Sequence, residues 1–166
     1  MIAQTEAGWN NLVKILSAAS LEGLYEKPRA DWEVLEKHSE GLIVLTGSID
    51  GLVGKALLKK GIKAAQNNIE KIISIFGAKQ TFFEIVGVTG EKFETLNDFI
   101  LTEAQERNQK ILVTSNARYA NASDEEAIEV LNCIESGEVL SNPYRQKFAE
   151  GHSFKSWDEL TQVLEY

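Results

Sequence analysis

The chain has 166 residues, 43% of them hydrophobic and 25% charged, and its 17 Lys and Arg against 25 Asp and Glu give a net charge of -8. That length suits one domain burying roughly 70% of its unfolded surface and is short for two, so residues 1–166 read as a single domain. The acidic excess repels phosphate backbones, and one cysteine with no long apolar run and no charged-then-apolar leader excludes a disulfide framework, a zinc cluster and a membrane span. A reducing, cytoplasmic setting is expected. The densest basic group, Lys59, Lys60 and Lys63, has the spacing of a solvated helix face, so direct nucleic-acid binding is not expected.

In chain order, Trp9, Leu12, Val13 and Leu16 repeat at helical spacing and predict an opening amphipathic helix that Gly23 stops. A Lys-Pro-Arg turn at 27–29 leads to a short helix over 31–37. The run GLIVLTG (41–47) then reads as a strand buried on both faces. Helices over 51–60 and 62–76 follow, broken at Gly61. TFFEIVG (81–87) is a second strand, 91–107 a long amphipathic helix, and KILVTS (110–115) a third strand. Ser123 with Glu126 reads as a capping box for a helix ending near Gly137, and Ser156 with Glu159 as another for the final helix. The order predicts an α/β fold of parallel strands alternating with helices.

Functional side chains in parallel sheets collect at the carboxyl ends of the strands. Here those ends carry Thr46 and Ser48, then Glu84 and Val88, then Ser115, Asn116 and Arg118. This inventory is thin for catalysis. His38 and His152 fall outside the strand ends and read as surface residues, and Cys133, mid-helix beside Leu131 and Ile134, reads as core. Glu84, a carboxylate inside an apolar strand, is either the relic of a site or paired with a cation such as Arg118. GSIDGLVGKA (47–56) places Gly-Lys at a helix start. A phosphate-cradling loop, however, needs a glycine where Ile49 stands and Ser or Thr where Ala56 stands, so these glycines read as a tight turn.

Four stretches in succession, EGLYEKPRADWEVLEKHSEGLIVLTG (22–47), TFFEIVG (81–87), ILVTSNARYANASDEEAIEVLNCIESGE (111–138) and NPYRQKF (142–148), resemble the polymerase and histidinol phosphatase (PHP) domain of bacterial DNA polymerase III alpha subunits. The resemblance implies a distorted seven-stranded β/α barrel whose strand ends bind metal ions. In some lineages it implies a proofreading phosphoesterase, and in others a metal-free platform that docks a separate proofreading exonuclease. The family's Thr-Asn-Asp-Val-His-Tyr stands here as Thr114, Ser115, Asn116, Ala117, Arg118 and Tyr119. A ligand Asp has thus become an amide and a ligand His a fixed cation, which repels metals. Ser48 replaces a frequent Cys, Val88 a His, and Glu84 alone matches. Ser48, Glu84, Val88, Asn116 and Arg118 are therefore expected to be vestigial metal-site positions, with no catalytic residue, metal or cofactor.

The family's opening His-x-His strand and further strand-helix units have no counterpart here, so the chain resembles the carboxyl-terminal portion of a PHP domain. An open remnant of three or four strands would expose a strand edge and a barrel interior. Three roles follow. One is a non-catalytic interaction module that binds a replisome protein (proofreading exonuclease or polymerase subunit) or itself, including as a phage or mobile-element decoy. The others are a piece of a polymerase alpha subunit with no separate role, and a residual metal-dependent phosphoesterase using Glu84 and Asp50.

Overall fold

The computed structural model of the chain describes residues 1–144 and 151–164; Arg145 to Phe148 of the NPYRQKF stretch lie outside them. Strand β1 (Ile2–Ala3) leads into helix α1 (Glu6–Leu21), where the Thr5 hydroxyl caps by accepting the Gly8 N–H at 3.0 Å. The helix stops as expected at Gly23, whose N–H bonds the Ala18 carbonyl. Its buried face differs from the predicted stripe. Gly8, Ile15 and Ala19 face inward, while Trp9, Val13 and Leu16 are 61%, 44% and 58% exposed and Leu12 is half-buried. Small residues decide this, because a Cβ at Gly8 would fall on the Gly41 carbonyl oxygen. The glycine face alone lets α1 settle on that corner.

Helix α2 (Trp32–Lys37), capped by Asp31, precedes β2 (Leu42–Leu45). Helices α3 (Leu52–Lys60) and α4 (Ile62–Phe76) break at Gly61 and pack closely as a pair, with Ala65, Ile69, Ile72 and Phe76 forming the inward stripe of α4. Strand β3 (Thr81–Val86), α5 (Glu91–Arg107), β4 (Ile111–Thr114), α6 (Glu125–Ser136) and α7 (Trp157–Leu164) complete the order. The second predicted cap holds, since Ser156 and Glu159 exchange backbone N–H bonds. The first lies two residues upstream. Asn121 and Asp124 form the box around a 3-10 turn over 122–124 that leads into α6, because the chain tightens before the α-helix begins.

The sheet order is β1-β2-β3-β4, with β2, β3 and β4 parallel and β1 antiparallel to β2 through Ile2 opposite Ile43 and Ala3 opposite Leu42. The sheet is therefore mixed rather than parallel, and a two-residue strand has no periodicity from which direction can be read. Among the described residues it is an open sheet of four strands, not a closed seven-stranded barrel.

The core lies on one side. Leu42, Val44, Phe83 and Ile85 meet Ile15, Val53, Leu57, Ile69, Leu96 and Ile100 from the helices. Ile43, Leu45 and Phe82 on the opposite face are only half-buried. Strand β2 thus alternates instead of being buried on both faces, because the helices cover one side. Glu103 is buried on α5, accepting from Gln66 of α4 at 2.6 Å and from Arg107 at 2.9 Å, which ties the two helices.

Candidate functional site

Because β2, β3 and β4 run the same way, the residues following each strand gather at one edge. Strand β2 ends first. Thr46 continues the ladder by donating its N–H to the Phe82 carbonyl at 3.1 Å, and its side-chain oxygen then accepts the Glu84 N–H at 2.9 Å. Beyond that point β3 has no strand on this side. The N–H and C=O of Val86 are instead satisfied by the buried amide of Asn97 on α5, both at 2.9 Å. Thr46 and Asn97 thus stand in for a missing strand, and sequence reading missed Asn97. An Asn on the inner face of an amphipathic helix was the available signal, since a buried amide needs partners.

Glu84, half-buried, accepts from the Thr114 hydroxyl at 2.7 Å across the β3–β4 ladder. Ser48, just past β2, has a buried hydroxyl with no hydrogen-bond partner among the described residues, while its carbonyl accepts the Gly51 N–H and closes the turn into α3. Val88 is buried against Val86, Phe93 and Ile49 in a small apolar cluster. Asn116 adopts left-handed backbone (φ +46°) and Arg118 is exposed. Of the five predicted positions, Glu84 alone offers an anionic oxygen. Among the described residues no three His, Cys, Asp or Glu side chains converge as a metal site. Asp50 is exposed and lines a cavity of about 530 Å³ with Lys55, Lys59 and Lys60, a cavity that Glu84 does not line.

The carboxyl edge is also covered. Leu160 of α7 packs so closely on Gly87 that a Cβ there would overlap it, and Val163 and Leu164 close a cavity of about 470 Å³ with Val88, Thr89, Glu94, Asn97 and Asp98. The chain at 152–154 runs along Tyr119, with the Arg118 N–H on the His152 carbonyl and the Phe154 N–H on the Tyr119 carbonyl. Cys133 is buried, as expected of a core residue.

His152 is not a surface residue: it is 3% exposed. Its Nδ1–H donates to the Asn116 carbonyl at 2.9 Å, its ring meets Phe93 edge-on, and its N–H donates to the Tyr119 hydroxyl, which donates to Glu125. A histidine 36 positions from its partner in an irregular segment leaves no periodic trace, hence the misreading. Burial lowers its pKa below the ordinary value, opposed by the Asn116 bond and reinforced by Arg118 and Lys155. A folded pKa depressed below the unfolded one makes stability full above about pH 6.5, lost as pH falls and the unfolded chain takes up the proton. Unfolding free energy is expected to fall between pH 7 and 5, and His152→Asn, which keeps a short side-chain donor, should flatten that slope. Urea titrations at each pH measure it.

The PHP domain family model matches residues 1–86. Among curated relatives, the DNA polymerase III subunit alpha of Thermus aquaticus is 32% identical over 165 residues, which is 99% of this chain and 13% of that protein. Those of Treponema pallidum, 30% identical over 165 residues, and Aquifex aeolicus, 33% identical over 140, match 99% and 84% of this chain and 14% and 12% of their own lengths. The chain thus spans about a seventh of the length of such relatives. The matched residues run from β1 through β3, the half of the molecule that holds Thr46, Ser48 and Glu84, and the chain belongs to the PHP domain family.

Proposed function

We propose that this chain is a metal-free PHP domain acting as a protein-interaction module in bacterial or phage DNA replication. Its partner would be a replisome protein, either a proofreading exonuclease or a polymerase subunit. The names of the relatives supply the replication context. The observation that carries the loss of metal is the end of β4. Asn116 carries an uncharged side-chain amide while its backbone carbonyl is held by His152, and Arg118 is a permanent cation. Val88, inside an apolar cluster, and Ser48, a neutral hydroxyl, do not restore the missing charge. Glu84 alone cannot hold a divalent ion against that cation, so no hydrolytic step is routed through this edge.

An interaction role is supported by apolar stripes that no described residue covers. Trp9, Val13 and Leu16 form one on α1, and Val130, Leu131 and Ile134 another on α6. The test has two arms. After incubation with Zn²⁺ or Mn²⁺ and desalting, bound metal should be far below one per chain and phosphoesterase turnover at the blank. Immobilised chain should capture a purified bacterial proofreading exonuclease or polymerase core. Stoichiometric metal with chelator-sensitive turnover, lost in Glu84→Gln and Asp50→Asn, would replace this reading by a residual phosphoesterase. Failure to capture either protein would favour a piece of an alpha subunit with no separate role.

A further inference from the structure

Half of the β4 backbone is unused. The Lys110 and Thr114 carbonyls accept from the N–H groups of Phe83 and Gly87 at 2.9 and 2.7 Å. In a parallel ladder, Lys110, Leu112 and Thr114 therefore turn their peptide groups toward β3, and Ile111 and Val113 turn theirs away. No partner meets those outward groups among the described residues. Open edges are normally blunted by a charge, a proline or a bulge. This one reads Ile-Leu-Val-Thr, with Ile111 and Leu112 42% and 39% exposed.

We propose that a second copy of this chain occupies the edge, the two β4 strands pairing antiparallel across a two-fold axis through Leu112. Two outward residues with one between them match themselves in that arrangement. Ile111 of each copy exchanges both backbone bonds with Val113 of the other, and the two Leu112 side chains face each other at a non-hydrogen-bonded position, Cα atoms about 4.5 Å apart. The result is a continuous eight-stranded sheet. The charges agree: in this register Lys110 of each copy faces Thr114 of the other, and no like charges meet along Ile111, Leu112 and Val113. The pairing does not rest on the replisome role, and its failure leaves that role standing.

Sedimentation velocity of the full chain from about 1 to about 100 μM should show a dimer. Leu112→Lys puts like charges face to face and should raise the dimer dissociation constant at least tenfold with an unchanged circular dichroism spectrum. In a Cys133→Ala background, Leu112→Cys should form an intermolecular disulfide on air oxidation. Ile111→Cys, which faces Val113 of the other copy, should not. A monomer throughout the range, a dimer indifferent to Leu112→Lys, or equal cross-linking of the two cysteine variants would overturn the proposal.

Discussion

Replacing Asn97 with alanine should destabilise the fold by about 3 kcal/mol, because two buried backbone groups lose their partner at once. Strand β2 ends at Leu45 while β3 continues to Val86, so the β2 side of β3 would otherwise present an N–H and a C=O to nothing. Asn97, 5% exposed, meets both, and Val88 and Phe93 pack around Val86 and keep water out. Each orphaned group costs about 1–3 kcal/mol. In a chain of this size about 3 kcal/mol lowers the melting temperature by roughly 6–12 °C. Asn97→Asp keeps the acceptor for the Val86 N–H but turns an anion toward the Val86 carbonyl, so it should be at least as costly at neutral pH. Thr46→Val removes one bond, to the Glu84 N–H, and should cost about 1 kcal/mol. Urea unfolding of the three variants measures the series. A loss below about 1 kcal/mol for Asn97→Ala would mean that water replaces the amide and that no strand surrogate is needed.

The elements were legible where periodicity is long or chemistry is local. Helices α4 and α5 begin and end where their spacing predicts, and Ser156 caps α7 through a four-residue motif that depends on nothing distant. What stayed hidden was set by tertiary approach. Helix α1 carries apolar residues on two faces, and the bulkier stripe of Trp9, Val13 and Leu16 is the more visible in sequence. The fold buries Gly8 and Ala19 instead because close contact with Gly41 needs the absence of side chain. Likewise GLIVLTG looks like a strand enclosed on both sides, but burial of Ile43 and Leu45 depends on strands and helices that the described residues do not contain. At the site, the spacing placed Ser48, Glu84, Val88 and Asn116 at one edge. It could not show that Thr114 would hold Glu84 or that His152 would return to bond Asn116, since both contacts join residues at least 30 positions apart.

Gly8→Ala should be strongly destabilising, although alanine in place of glycine inside a helix ordinarily stabilises by up to about 1 kcal/mol. The sign reverses here because the new methyl group would overlap the Gly41 carbonyl, a backbone atom held in place. Gly41 carries φ +72°, accepts the Gln4 N–H at 2.9 Å, and opens directly into β2. Relief requires α1 to lift from the sheet. That loosens Ile15 from the core and strains the contact between β1 and the start of β2, since only Gln4 and Thr5 join β1 to the helix. Overpacking of this kind costs about 1–3 kcal/mol, to which the lost helix contacts add, so about 3 kcal/mol or more is expected. Ser20→Ala, on the exposed face of the same helix, isolates propensity from contact and should be neutral or stabilise by a few tenths of a kcal/mol. Thermal unfolding of the pair separates the two effects. If Gly8→Ala raised the melting temperature alongside Ser20→Ala, α1 would not rest on Gly41, and the outward turn of Trp9, Val13 and Leu16 would lose its cause.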